Sequence, residues 1–180
     1  MIDVGLRVFL AVGAIGTLAG AWLVYFTLKA NHDWARRKYA IDMLSHWNEH
    51  VYPHFRAIEN VYPHVRQFDH GEKKFKELTY DTAKEVWKCD PDDAAHWKVK
   101  SATLELLNYF EFITTAYSQN VADPAIIEHS FRNALVQWHD ILTNFIKVAQ
   151  EGLGFQPWQP FLDVVATWKS PGTQKRKKTA

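Results

Sequence analysis

Three groups of residues have the types and spacing to do chemistry. His46 and His50 lie four apart on one helical face, with His54 near the next turn, a spacing that suits two or three imidazole ligands to a transition metal. Glu105, Asn108 and Glu111 follow one another at intervals of three within the apolar run Leu104–Ile113. A carboxylate held against such a face has a perturbed pKa, and groups of that kind gather at acid–base sites. Cys89 is the chain's single cysteine and a nucleophile only where a neighbouring base activates it.

Each group has a simpler explanation that its surroundings favour. Pro53 interrupts the register between His50 and His54, no cysteine lies nearby, and paired helical histidines are commonly solvated, so no metal site is expected. A di-iron bundle needs Glu-x-x-His on two helices. None of the nine glutamates has a histidine three positions later. Asn108 and Glu111 are predicted to form a buried polar network satisfied by backbone or by Arg36 or Arg37, because an unpaired buried carboxylate is costly. Cys89 stands between Lys88 and Asp90-Pro91 with no nucleophile signature around it. Glycine-rich phosphate loops and Gly-x-Ser-x-Gly elbows are absent too, so neither a catalytic residue nor a cofactor is assigned.

The elements that would position these groups begin with an apolar stretch. Val8 to Leu28 runs for 21 residues without a charge, enough as a helix, at about 1.5 Å per residue, to cross a hydrocarbon core of roughly 30 Å. Trp22, Tyr25 and Phe26 stand near its C-terminal end, where amphipathic rings favour the membrane interface. Lys29, Arg36, Arg37 and Lys38 follow it, against Arg7 alone before it, and this bias places the rest of the chain in the cytoplasm. Arg36, Arg37 and Lys38 are positioned to meet anionic lipid. The rival reading is a signal peptide cut near Ala19-Gly20-Ala21; against it, Asp3 partly cancels Arg7 and the apolar run continues for seven residues beyond the cut. Gly16 and Gly20 form a Gly-x-x-x-Gly pair along which two spans can approach closely.

Behind the span the charges divide. Residues 30–168 carry 14 Lys or Arg against 19 Asp or Glu, while Lys169, Lys175, Arg176, Lys177 and Lys178 form an unopposed basic tail. An acidic body lacks the basic face of a nucleic-acid-binding domain. With one cysteine, no intramolecular disulfide is possible. Eight Trp, seven Tyr and eleven Phe supply large apolar areas for a packed core or an interface.

Periodicity predicts an all-α chain: an anchor over residues 1–29, a helical bundle over 30–168 and a tail over 169–180. Trp34, Ile41, Leu44, Trp47 and Val51 recur at helical spacing from His32 to Tyr52, and Pro53 predicts a break or kink. Val51-Tyr-Pro-His-Phe-Arg56 is echoed by Val61-Tyr-Pro-His-Val-Arg66, which reads as two helix starts leading to a short helix pair that ends by Gly71, with helical turns after it. Thr82 and Glu85 fit a capping box for a helix through Lys88. Asp90-Pro91 and Asp123-Pro124 mark the starts of long helices to about Ser118 and Gln150, the second carrying the stripe Ile127, Phe131, Leu135, Trp138, Leu142, Phe145 and Ala149. A last short helix is expected over Leu162–Trp168, and no strand pair.

The span with its exit Trp34-Ala-Arg-Arg-Lys-Tyr-Ala-Ile-Asp42, together with Leu107-Asn-Tyr-Phe-Glu-Phe-Ile113, resembles a bacterial family of short membrane-anchored helical proteins catalogued as a domain of unknown function. The likeness covers residues 5–150. It implies a helical cytoplasmic domain behind one span and brings no activity with it.

The expectation is therefore a single-pass protein of the bacterial inner membrane. It contacts lipid through residues 8–28 and acts as an accessory or regulatory module that binds a protein partner or a second copy, not nucleic acid. The alternative is a membrane-bound enzyme or effector whose site uses the carboxylates or histidines above.

Overall fold

The computed structural model describes the chain over residues 2–69 and 72–170, with side chains described for residues 20–65 and 76–170. The dominant element is α1, Ile2–His46, 45 residues without interruption. Residues 20–32 of it are exposed on every side but the helix's own axis, and burial begins in earnest at Ala40 and Met43. Among the described residues no helix is long and apolar enough to cross a membrane. The expected span falls largely on residues 8–19, whose side chains lie outside the described residues.

At Pro53, where a break or kink was expected, the chain is not broken. α1 passes through a π turn, Trp47–Val51, into α2, Tyr52–Val61, with every junction residue in the right-handed helical region. The amide of Tyr52 reaches back five residues to the carbonyl of Trp47, and the proline falls in the first turn of α2. The echoed motif behaves differently. Tyr62 leaves the helix at φ −122° and ψ 71°, and Pro63 opens only a three-residue 3-10 turn, Pro63–Val65.

The next element is a strand pair, where helical turns were expected. β1, Arg66–Asp69, pairs antiparallel with β2, Glu72–Phe75, with Arg66 opposite Phe75. The chain is then sewn to the bundle: Leu78 donates its amide to the carbonyl of Ile141 (3.0 Å) and accepts from Asn144 Nδ2 (2.7 Å).

α3, Tyr80–Lys88, is capped from the Thr79-Tyr80-Asp81 region expected to precede it, by Thr79, whose hydroxyl oxygen accepts from the amide of Thr82, so Thr82 lies inside the helix and is not its cap. α4, Ala94–Ser118, starts at Asp93, not at Asp90-Pro91; the Asp93 carboxylate accepts from the amide of His96 at 3.2 Å. α5, Pro124–Leu153, starts where predicted, with Asp123 accepting from the amides of Ala125 and Ile126. Its stripe from Ile127 to Ala149 is buried, and Gly154 ends it at φ 73°. α6, Gln159–Lys169, extends further at both ends than predicted.

α4 is central, touching α2, α3, α5 and α6. From Arg36 on α1 to Trp47 on the π turn, the contacts run backwards, from Asn120 just past α4 through Phe112 to Tyr109 and Phe110 on it, so α1 and α4 are antiparallel. α6 instead follows α4 in the same sense, Trp158 meeting Asn108, Phe161 meeting Phe110 and Trp168 meeting Tyr117. The aromatic richness of the sequence goes chiefly into the core. Phe55 stacks on Trp138 with centroids 4.5 Å apart, and Trp47, on the π turn, sits against both Phe110 and Phe131.

Candidate functional site

The α1–α4 seam opens into an apolar cleft of about 360 Å³ lined by Tyr39, Asp42, Met43, His46, Tyr109 and Phe112. Its lining comes from one face of each helix: Tyr39, Met43 and His46 are spaced by four and three on α1, Tyr109 and Phe112 by three on α4. The Tyr109 ring is the hub. It lies 5.0 Å from the His46 imidazole and 5.9 Å from Phe112, while Tyr39 meets Phe112 edge-on at 6.4 Å.

Tyr109 is fixed by its hydroxyl, which donates to the main-chain carbonyl of Met43 at 2.9 Å. Burial, with Tyr39 adding to it, pushes its pKa from the ordinary 10 up to about 12, so it remains a donor through the physiological range. Phe112 stays 47 % exposed, a large apolar ring on an open surface. The cleft offers aromatic faces, one imidazole at its edge and the Asp42 carboxylate, which Lys38 pairs at 2.9 Å. That is the chemistry of a binding surface.

The π turn lies at the end of the cleft, and single widened turns of this kind are frequent at functional sites. It carries His50, whose ring is 4.6 Å from that of His46, both exposed. His54 is on α2, half-buried beside a second cleft with Trp97 and Lys98. Among the described residues no three His, Cys, Asp or Glu side chains gather to hold a metal.

The carboxylate series is not the buried network expected. Glu105 and Asn108 are exposed and Glu111 is half-buried, because the series follows the outer side of α4. Asn108 nevertheless has a defined role: its Oδ1 accepts from the indole Nε1 of the buried Trp158 at 3.0 Å. Trp158 sits at φ 62°, a region strained for a residue with a Cβ, and the Asn108 bond and burial of the ring hold it there.

Arg36 and Arg37 do not reach Asn108 or Glu111 either. Arg36 donates from Nη2 to Asn120 Oδ1 at 2.9 Å, and its carbonyl accepts from the amide of Asp123 at 3.2 Å. Arg37 Nε lies 3.5 Å from Asp123 Oδ2. With Lys38 paired to Asp42, all three cations assigned to lipid have protein partners, and the two arginines fasten α1 to the α4–α5 connection. Gly16 lies among the residues of α1 whose side-chain surroundings are outside the described ones, and a Cβ on Gly20 would meet nothing within 4 Å.

Cys89 is half-buried at the C-terminal end of α3. Nearby, Asp93 and His96 share a 2.5 Å contact, but both are occupied in capping α4, and the His96 hydrogen bonds hold the Asp93 carboxyl below its usual range. A third titratable group joins α5 to α6: Lys169 Nζ contacts His139 Nδ1 at 2.9 Å and the carboxylate of Asp140. Burial, then the Lys169 charge, pushes the His139 pKa down.

The cleft was missed by sequence reasoning because its two sides are 66 residues apart at the Tyr109–Met43 bond. The one available signal was the excess of aromatic residues on α4 beyond what a single stripe requires.

A family model described as "Domain of unknown function (DUF4760)" matches residues 14–168. No curated protein and no solved structure matches the chain.

Proposed function

We propose that this chain, which belongs to the DUF4760 family, is a membrane-anchored helical interaction module: an accessory or regulatory subunit held at the cytoplasmic face of a cell membrane, where the α1–α4 cleft receives another protein. The observation that carries the reading is the bareness of α1. Trp22, Leu23, Val24, Tyr25, Phe26 and Leu28 are exposed around the whole helix, and a helix apolar on all sides needs an apolar surrounding, which the rest of the described chain does not supply. The Thr27 hydroxyl is satisfied within the helix, donating to the carbonyl of Leu23 at 2.9 Å, as a hydroxyl in lipid must be.

In the sequence the uncharged stretch reaches from Val8 to Leu28, and Lys29 follows it. The helix then runs without a joint to Arg36, about 12 Å beyond Leu28, where the domain begins. Gly16 and Gly20 lie on the same stretch and suit a close approach by another span. Partner binding by the cleft is favoured by the composition of its lining, since exposed aromatic rings around a fixed tyrosine are the usual anchors of an interface.

The test uses the full chain purified in mild detergent from its native membrane, beside Phe112→Ala. The expected result is that an alkaline wash leaves the protein in the membrane, and that a stoichiometric partner of the wild type is lost at least ten-fold in the variant without a change in thermal stability. Extraction by the wash, or retention of the partner by the variant, would overturn the corresponding half of the reading.

A further inference from the structure

We propose that the groove between α2 and α4 binds a small phosphorylated ligand carrying a flat ring, by chemical class a mononucleotide; it is separate from the α1–α4 cleft and goes beyond the role given to that cleft. The two helices are antiparallel, Phe55 lying 6.4 Å from Phe110 and Tyr62 6.3 Å from His96. Where they pass, each presents an alanine, Ala57 half-buried and Ala102 buried. These short side chains leave an open groove of about 540 Å³. Small ligands occupy clefts of roughly 300–1,000 Å³.

Around that floor stand His54, Arg56 and Asn60 from α2 and Trp97, Lys98 and Ser101 from α4. None of the nine lining residues is acidic, in a body that carries five more acids than bases over 30–168, so the groove suits an anion. Its polar groups are also unspent. Among the described residues, His54, Asn60, Lys98 and Ser101 have no side-chain hydrogen bond or ion pair, whereas Lys38, Lys100 and Lys169 are each held by a partner. Arg56 is held at 3.8 Å by Glu59, which does not line the groove, and keeps 61 % of its side chain exposed.

Guanidinium and ammonium groups bind phosphate oxygens through charge-assisted hydrogen bonds. Trp97 supplies the surface for a ring. Lys100 Nζ stands over the indole, 5.4 Å from its centroid, and donates to the Trp87 carbonyl at 2.6 Å, so the ring is steadied by the protein yet 43 % exposed. A flat ring stacks on such an indole whatever its substituents. The Asn60 amide and the Ser101 hydroxyl each both donate and accept, as the edge of a nitrogen heterocycle requires. Placement excludes a headgroup of the bilayer in the anchored reading: Lys98 is about 30 Å along α4 from Ser118, the end that meets Arg36 through Asn120. The ligand therefore comes from solution.

The experiment titrates the full chain in mild detergent, by calorimetry, with each of the four ribonucleoside monophosphates, with the parent nucleosides and with inorganic phosphate. The expected result is saturable one-to-one binding of at least one monophosphate, about ten-fold or more tighter than its nucleoside or phosphate alone. Lys98→Glu and Trp97→Ala should each weaken it about ten-fold at an unchanged melting temperature, the loss of one charged hydrogen bond or one stacked ring. Should either variant melt lower, Lys98→Gln and Trp97→Phe take their places, the first expected to weaken binding and the second to retain it. Absence of saturable binding by all four monophosphates overturns the proposal, as does binding that the variants leave unchanged. Phosphate bound as tightly as any nucleotide overturns the flat-ring assignment. None of these outcomes bears on the α1–α4 cleft, whose own test is loss of a protein partner by Phe112→Ala.

Discussion

Tyr109 and Met43 are joined by a hydrogen bond from phenol to main-chain carbonyl at 2.9 Å, and this one contact ties the central helix of the bundle to the helix that leaves it. A ring in this position serves twice. Its face lines the cleft, and its hydroxyl satisfies a polar group at the edge of the core.

Tyr109→Phe keeps the ring and removes the donor. The expected loss is about 1 kcal/mol, the net worth of a typical internal hydrogen bond, read as a lower midpoint in thermal or denaturant unfolding. The wild type carries a pH signature as well. Its phenol titrates higher in the folded chain than in the unfolded one, so its contribution is complete below pH 10 and is lost as pH rises from 10 toward about 12. The phenylalanine variant should lack that part of the alkaline decline.

Asn108→Ala should cost more than Glu111→Gln, reversing what their side chains alone suggest. The alanine leaves the indole N–H of buried Trp158 without its acceptor, a loss of about 1–3 kcal/mol. Glu111 is half-buried on the outer side of α4, and its amide replacement should change unfolding by less than about 0.5 kcal/mol. Equal effects in a denaturant titration would show that Asn108 does not hold Trp158.

Asp123 combines two roles that substitutions can separate. Asp123→Asn keeps an oxygen for the amides of Ala125 and Ile126 while removing the charge facing the exposed Arg37, a pair at 3.5 Å, and should be close to neutral. Asp123→Ala removes the cap and should cost about 0.5–2 kcal/mol in the same unfolding measurement.

His139 should make the domain acid-sensitive near neutrality. Its folded pKa lies below the ordinary 6.5, so the unfolded chain takes up the proton first, and stability falls as pH drops through 6.5 toward the folded value. Burial raises the Asp140 pKa, but hydrogen bonds from Lys169 and His139 outweigh it and leave the carboxyl low, so its own loss belongs to a separate window below pH 3.8. His139→Gln should flatten the slope just below pH 6.5, as followed by melting temperature against pH.

What the sequence disclosed depends on how far apart the interacting groups lie along it. The stripe from Ile127 to Ala149 and the Asp123 cap are local patterns, and both appear in α5 as expected. The start of α4 was displaced because Asp90-Pro91 and Asp93 compete as caps within four residues, and only Asp93 reaches an amide one turn on. The strand pair from Arg66 to Phe75 has no alternation of apolar and polar residues to announce it. Asn108 was expected to be satisfied by backbone or by an arginine, yet its partner is Trp158, 50 residues away in a proline-broken connection that no periodicity describes. The expected Arg36 and Arg37 partners were wrong for the same reason: the antiparallel register of α1 and α4 sets Arg36 beside Asn120, three turns from Asn108.

The unbroken course of α1 from its exposed apolar half to the cleft makes it a shaft. A helix advances 1.5 Å and turns about 100° per residue, so the compass bearing of Tyr39, Met43 and His46 is locked to that of Trp22 and Phe26. One residue inserted between Lys29 and Arg36 would swing the whole bundle about 100° around the shaft while raising it hardly at all, and seven would lift it about 10 Å yet return it almost to its former bearing. Height and heading are separable properties of this molecule, and the length of the segment between Lys29 and Arg36 sets both.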